Sequence, residues 1–212
     1  MKTTKGVLAR VLIAAAAAIA AGGLVASNMG FKHRYTLQAS QPGVSKTGRQ
    51  TIGLPYLRQV GIDSAHALLS SVGGPVLQVE RFKKQLDTNE PYPGSAGNFQ
   101  LEAAEGYLIR VILTHDYIIV GTHDPGFTVS LKAAAPGVSK TGRTRYAHPY
   151  HGLSATASEL LAETGAIQLE RFERQFDTNE PYPGPAGDFA LVPGEAYLIR
   201  VVTDTEFVPA HY

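Results

Sequence analysis

The polar residues best placed for chemistry lie in an octapeptide, DTNEPYPG, that occurs twice letter for letter, at residues 87–94 and 177–184. Each copy gathers oxygen-bearing side chains: Asp87, Asn89 and Glu90 in the first, Asp177, Asn179 and Glu180 in the second. Oxygen ligands at near-alternate positions are what a calcium ion takes, although the twelve-residue calcium loop is absent. The bland alternative is a stiff connection, held by two prolines and Asx-type hydrogen bonds. Tyr92 and Tyr182 stand between prolines in the same segments. Turned outward, their rings would stack on a sugar or fill a partner's pocket; turned inward, they would cover the core of their own module. Carboxylates at Asp87 and Asp177 would also serve a hydrolase, provided their environments pushed two pKa values apart.

Other residue types point away from catalysis. His148 and His151 are three apart, and His115 and His123 each precede an aspartate. Yet His148 sits before a proline in an extended segment, the first copy has no histidine there, and no Cys exists to close a zinc site. No metal ligand and no cofactor is expected. Glu80 with Arg81, Glu170 with Arg171, Glu105 with Arg110 and Glu195 with Arg200 read as charge pairs at a sheet rim. There is no thiol and no G-x-S-x-G, and PGVSKTGR lacks phosphate-loop spacing. Since both copies carry the same polar residues, a structural or multivalent role is expected, not an enzyme.

What must position these residues is a duplication. PGVSKTGR occurs at residues 42–49 and 136–143, an offset of 94, whereas DTNEPYPG recurs at an offset of 90. Residues 79–94 match 169–184 at 12 of 16 positions, and 95–111 match 185–201 at 10 of 17. The change of offset falls between residues 55 and 79, where a helix with loops on both sides absorbs length. Strands are predicted over 35–39 and 129–133, 50–56 and 144–150, 76–82 and 166–172, 107–113 and 197–202, 117–120 and 207–210, with short pairings at 99–101. Thr156 with Glu159 forms a capping box, and Gly165 ends that helix; Asp63 or Ser64 and Gly73 bound its counterpart. The fold class expected is α+β, mostly β. It comprises two tandem modules, 28–125 and 126–212, each of about six short strands and one short helix, packed rigidly across the short join.

Residues 1–27 have the layout of a secretory signal: Lys2, Lys5 and Arg10, then an uncharged run over 11–26, then small residues before Ser27. Sixteen helical residues rise only ~24 Å, short of a ~30 Å hydrocarbon core. Without that segment, 16 basic side chains face 18 acidic ones, leaving a net charge near −2 in place of the whole chain's +1. No basic stripe remains for nucleic acid. An address in the periplasm, at the cell surface or outside the cell is expected, with no membrane span once the signal is removed.

Leu54-Pro55-Tyr56, Leu68-Leu69, Arg81-Phe82, Phe99, Leu101 and 105–111, with their second-copy equivalents, resemble a tandem β-rich module of uncharacterised exported bacterial surface and accessory proteins. The second copy departs from it at His148, where the first has Leu54. The resemblance implies an exported, non-enzymatic role and supplies no chemistry. The reading that follows is a structural or surface-associated protein acting through protein–protein contacts with itself or another envelope protein. Self-assembly into a fibre or layer would use the strand at 35–39 as a free edge. The alternatives are a pair of carbohydrate-binding modules using Tyr92 and Tyr182, and, behind it, a hydrolase.

Overall fold

The run GYLIRV is apolar at consecutive positions, which suits a strand buried on both faces. The computed structural model, which describes residues 30–122 and 124–211, places it so. The signal read at 1–27 lies outside the described residues. Strand β6 (Gly106–Val111) and its counterpart β12 (Ala196–Arg200) are each buried over their first four residues. One face of β6, with Tyr107, Ile109 and Val111, lies in the first core, and the matching Tyr197, Ile199 and Val201 lie in the second.

Around β6 the first half builds β1 (Phe31–Leu37), β2 (Arg49–Gly53), β3 (Leu57–Arg58), helix α1 (Ala65–Val72), β4 (Val76–Lys83), β5 (Thr88–Tyr92) and β7 (His115–Thr122). Around β12 the second half builds β8 (Val129–Leu131), β9 (Arg143–Ala147), α2 (Ala157–Thr164), β10 (Gln168–Glu173), β11 (Thr178–Tyr182) and β13 (Thr205–Phe207). All pairing is antiparallel. The sheets run β2-β6-β4-β5 and β9-β12-β10-β11, accompanied by a smaller sheet in each half, β1-β7-β3 and β13-β8. The chain is thus mostly β with two short helices among the described residues.

The helices form where their caps dictate. Thr156 accepts from the Glu159 amide while the Glu159 carboxylate accepts from the Thr156 amide, completing the capping box. Ser64, not Asp63, caps α1, accepting from the Ala67 amide. Eight residues of helix are too few to stand alone; each buries a stripe, Ala65, Leu68 and Val72 in α1 and Ala157, Leu160 and Thr164 in α2.

One expectation needs correction. The 87–94 and 177–184 segments are not loops: their central five residues are β5 and β11, paired with β4 and β10 as edge strands. Pro91 and Pro181 are tolerated because an edge strand leaves half its donors unpaired. The N-terminal strand is paired on one side: β1 pairs with β7 along its whole length, from Phe31 opposite Gly121 to Leu37 opposite His115, and stands at the edge of its sheet.

Candidate functional site

The two repeated motifs meet each other across the halves. The β4–β5 turn puts Asp87 at φ 57°, and the β10–β11 turn puts Asp177 at φ 56°. This left-handed region admits aspartate more readily than most residues. From that position Asp87 accepts from Thr141 Oγ1 (2.9 Å) and Arg143 Nη1 (3.0 Å), both in the second PGVSKTGR. Reciprocally, Asp177 accepts from Arg49 Nη1 (3.1 Å) of the first. The backbone repeats the exchange: the Lys46 amide donates to the Arg174 carbonyl (3.0 Å), and the Lys140 amide to the Lys84 carbonyl (2.9 Å). Further in, the Gly53 amide donates to the Gly194 carbonyl (2.6 Å), and the Ala147 amide to the Ala104 carbonyl (2.8 Å).

Each arginine also grips its own half. Arg49 donates from Nε and Nη2 to Glu80 (2.9 and 2.6 Å), a bidentate pair, and Arg143 donates to Glu170 (2.7 Å). Between them lies Arg145, only 3% exposed, which donates to Asn89 Oδ1 (3.2 Å) and covers the Phe82 ring at 5.8 Å. Burial lowers its pKa to about 10. Guanidinium groups suit such a seam because their planar forks satisfy several acceptors and lie flat on rings.

The sequence-predicted residues are therefore divided. Asp87 and Asn89 face the arginines of the other half. Glu90, next along the strand, points to the opposite face, where Arg81 (3.1 Å) and Lys83 (2.8 Å) hold it. The Lys83 hydrogen bond, with Arg81 behind it, keeps its carboxyl below the usual range. Glu180 is likewise taken by Arg171 (2.9 Å). The oxygens proposed for calcium do not converge. Asn179 lies on β11 opposite Phe172. Tyr92 packs on the first core and shares a 3.0 Å hydrogen bond with His66 Nδ1; Tyr182 packs on the second. Both rings take the inward orientation. His148 is 4% exposed, and burial lowers its pKa to about 4. His123 lies outside the described residues.

The charge pairs regroup as well. Glu80 cannot reach Arg81, because adjacent strand residues point to opposite faces. Arg110 and Arg200 donate instead to the carbonyls of Thr47 (3.1 Å) and Thr141 (3.2 Å). Glu105 and Glu195 accept from the buried hydroxyls of Tyr107 (3.5 Å) and Tyr197 (3.4 Å), and burial pushes both carboxyls up. The residues missed from sequence are Gln50, Arg145 and Arg174. A signal for the first two was present, since Gln50 and Arg145 stand where the other copy has Thr144 and Thr51. Compared with models of protein families, with curated proteins and with solved structures, the chain matches none.

Proposed function

We propose that this is an exported, non-enzymatic structural or surface-associated protein that works through protein–protein contacts, further copies of itself included. The observation that carries the reading is the outward face of the β1-β7-β3 sheet. β7 is apolar on both faces: Tyr117 and Ile119 point into the core, while Ile118 (55% exposed) and Val120 (38%) point out. Leu57 on β3 (47% exposed) continues that apolar strip, and Arg34 and Lys32 on β1 lie opposite Ile118 and Val120. A sheet face that ends at solvent is ordinarily polar, and contiguous exposed apolar side chains mark a surface that is covered in use. The arginine seam supports the same reading, because its charges hold the halves together.

The test is light scattering on residues 28–212 across a wide concentration range, beside an Ile118→Lys/Val120→Lys variant. Concentration-dependent association that the double substitution abolishes is the expected result. A wild-type chain that stays strictly monomeric at high concentration refutes the proposal.

A further inference from the structure

The cross-half contacts come in exchanged pairs, and this fixes how the halves are related. Lys46 meets Arg174 while its copy Lys140 meets Lys84, and Arg49 meets Asp177 while its copy Arg143 meets Asp87. A relationship that is its own inverse is an approximate twofold rotation, the isologous contact of a dimer written within one chain. Gly106 and Ala196, copies of each other, touch where such an axis passes. The same rotation exchanges the two small sheets, so the outward face of β1-β7-β3 has a counterpart in the outward face of β13-β8.

The two faces share a plan and carry opposite surplus charge. On the first, Arg34 pairs with Asp116, and Lys32 is exposed with no acidic partner among the described residues. On the second, Lys132 pairs with Asp204 (3.1 Å). Glu206 there is the copy of Asp116, but Thr128 stands where the first half has Arg34. Glu206 is therefore exposed, opposite Ser130, with no basic partner among the described residues. Apolar side chains flank the charges on both faces. Ile118, Val120 and Leu57 do so on the first, and Val208, the copy of Ile118, is exposed on the second. Leu153, whose amide donates to the Ala210 carbonyl (2.8 Å), lies beside that strand and is also exposed.

Building on the sheet-face contact proposed above, we propose that its occupant is the β13-β8 face of a second copy of this chain, so that the first-half face of one molecule seats on the second-half face of the next. Lys32 then meets Glu206, and Ile118 and Val120 lie against Val208. Like faces pair less well. Two first-half faces would bring two Lys32 and two Arg34 together beside only two Asp116, and two second-half faces would oppose one Glu206 to the other. Complementary charge across an interface favours the right partner, and like charge suppresses the wrong one. Every contact between unlike faces leaves one face of each kind open. The assembly therefore extends head to tail, as a ring if the rotation closes and as a filament if it does not.

The experiment mixes two variants of residues 28–212, each lacking one face. Ile118→Lys/Val120→Lys disables the first face and Glu206→Lys/Val208→Lys the second; all four side chains are exposed, and circular dichroism checks the folding. By light scattering the wild type should grow beyond a dimer with concentration, and each variant alone should stay monomeric. An equimolar mixture should form dimers and stop there, because each pair joins the two intact faces. Should Glu206→Lys/Val208→Lys fail to fold, charge exchange decides instead. Lys32→Glu and Glu206→Lys should each weaken wild-type association about fivefold, and the chain carrying both should recover it; no recovery overturns the proposal. A second-face variant that associates as the wild type does overturns the head-to-tail contact and leaves self-association standing, as does a mixture that stays monomeric while the wild type associates. A wild type that stays monomeric overturns both.

Discussion

A methyl group on Gly106 would lie 2.0 Å from the Cβ of Ala196. These are corresponding positions of the two copies, on β6 and β12, so the halves touch there along equivalent points of their central strands. No pair of non-bonded carbons approaches so closely. Gly106→Ala should therefore force the strands apart and lower stability by about 1–3 kcal/mol, the usual cost of overpacking. Adding Ala196→Gly moves the methyl to the other strand and should recover most of the loss. Thermal unfolding of the two variants and the wild type reads this directly; an unchanged Tm in Gly106→Ala would sink the argument.

The reciprocal seam predicts an unequal pair of effects. Asp87 accepts from two side chains of the other half, Thr141 and Arg143, while Asp177 accepts from Arg49 alone. Asp87→Ala should cost about 1.5–3 kcal/mol, as hydrogen bonds to charged groups do, and Asp177→Ala less. Denaturant titration gives both values. Equal or reversed costs would show that the two contacts are not energetically what their geometry suggests.

Stability should fall in mild acid through His148. Its ordinary pKa of 6.5 is lowered by burial to about 4. Between those values the unfolded chain binds a proton that the folded chain refuses, so stability drops as pH falls from 6.5 to about 4, by about 3 kcal/mol in all. His148→Leu, which installs the residue that the first copy has as the buried Leu54, removes this contribution. The difference in stability between wild type and variant should shift in the variant's favour as pH falls from 6.5 to about 4, and stay constant above pH 7. Parallel pH profiles would exclude His148 as the source.

Capping supplies a fourth expectation. Thr156→Ala removes the acceptor for the Glu159 amide and should cost about 1 kcal/mol. Ser64→Ala should cost a similar amount in α1, where Ser64 serves the Ala67 amide. Urea unfolding resolves differences of this size.

How far the sequence reveals this molecule depends on the distance over which each feature is decided. The capping box, Gly165 and the apolar YLIRV strands are settled within a few residues, and they are legible. The octapeptide misleads because its prolines and Asn signal a loop; only the position of β5 and β11 at sheet edges makes a strand of them. Charge pairs expected between nearby residues give way to distant ones, as Arg49 finds Asp177 128 residues away. Nothing in either motif announces that it will meet the other. The identity of the two copies of each motif is nevertheless explained by that meeting, since each copy must fit the same mate.

The join between the halves, in contrast, contributes a ring contact, Phe127 edge-on to Tyr56 at 5.3 Å, and no cross-half hydrogen bond among the described residues. The turn at Asp124 carries an amide from Phe127 (3.1 Å) and one from Gly126 (3.1 Å), both local. The grip between halves comes instead from the arginine seam, the backbone exchange and the Gly106–Ala196 contact. A protease that nicked the chain at this turn would therefore release no fragment: the two pieces should travel as one particle until denatured, and covalent continuity would be dispensable once folding is complete.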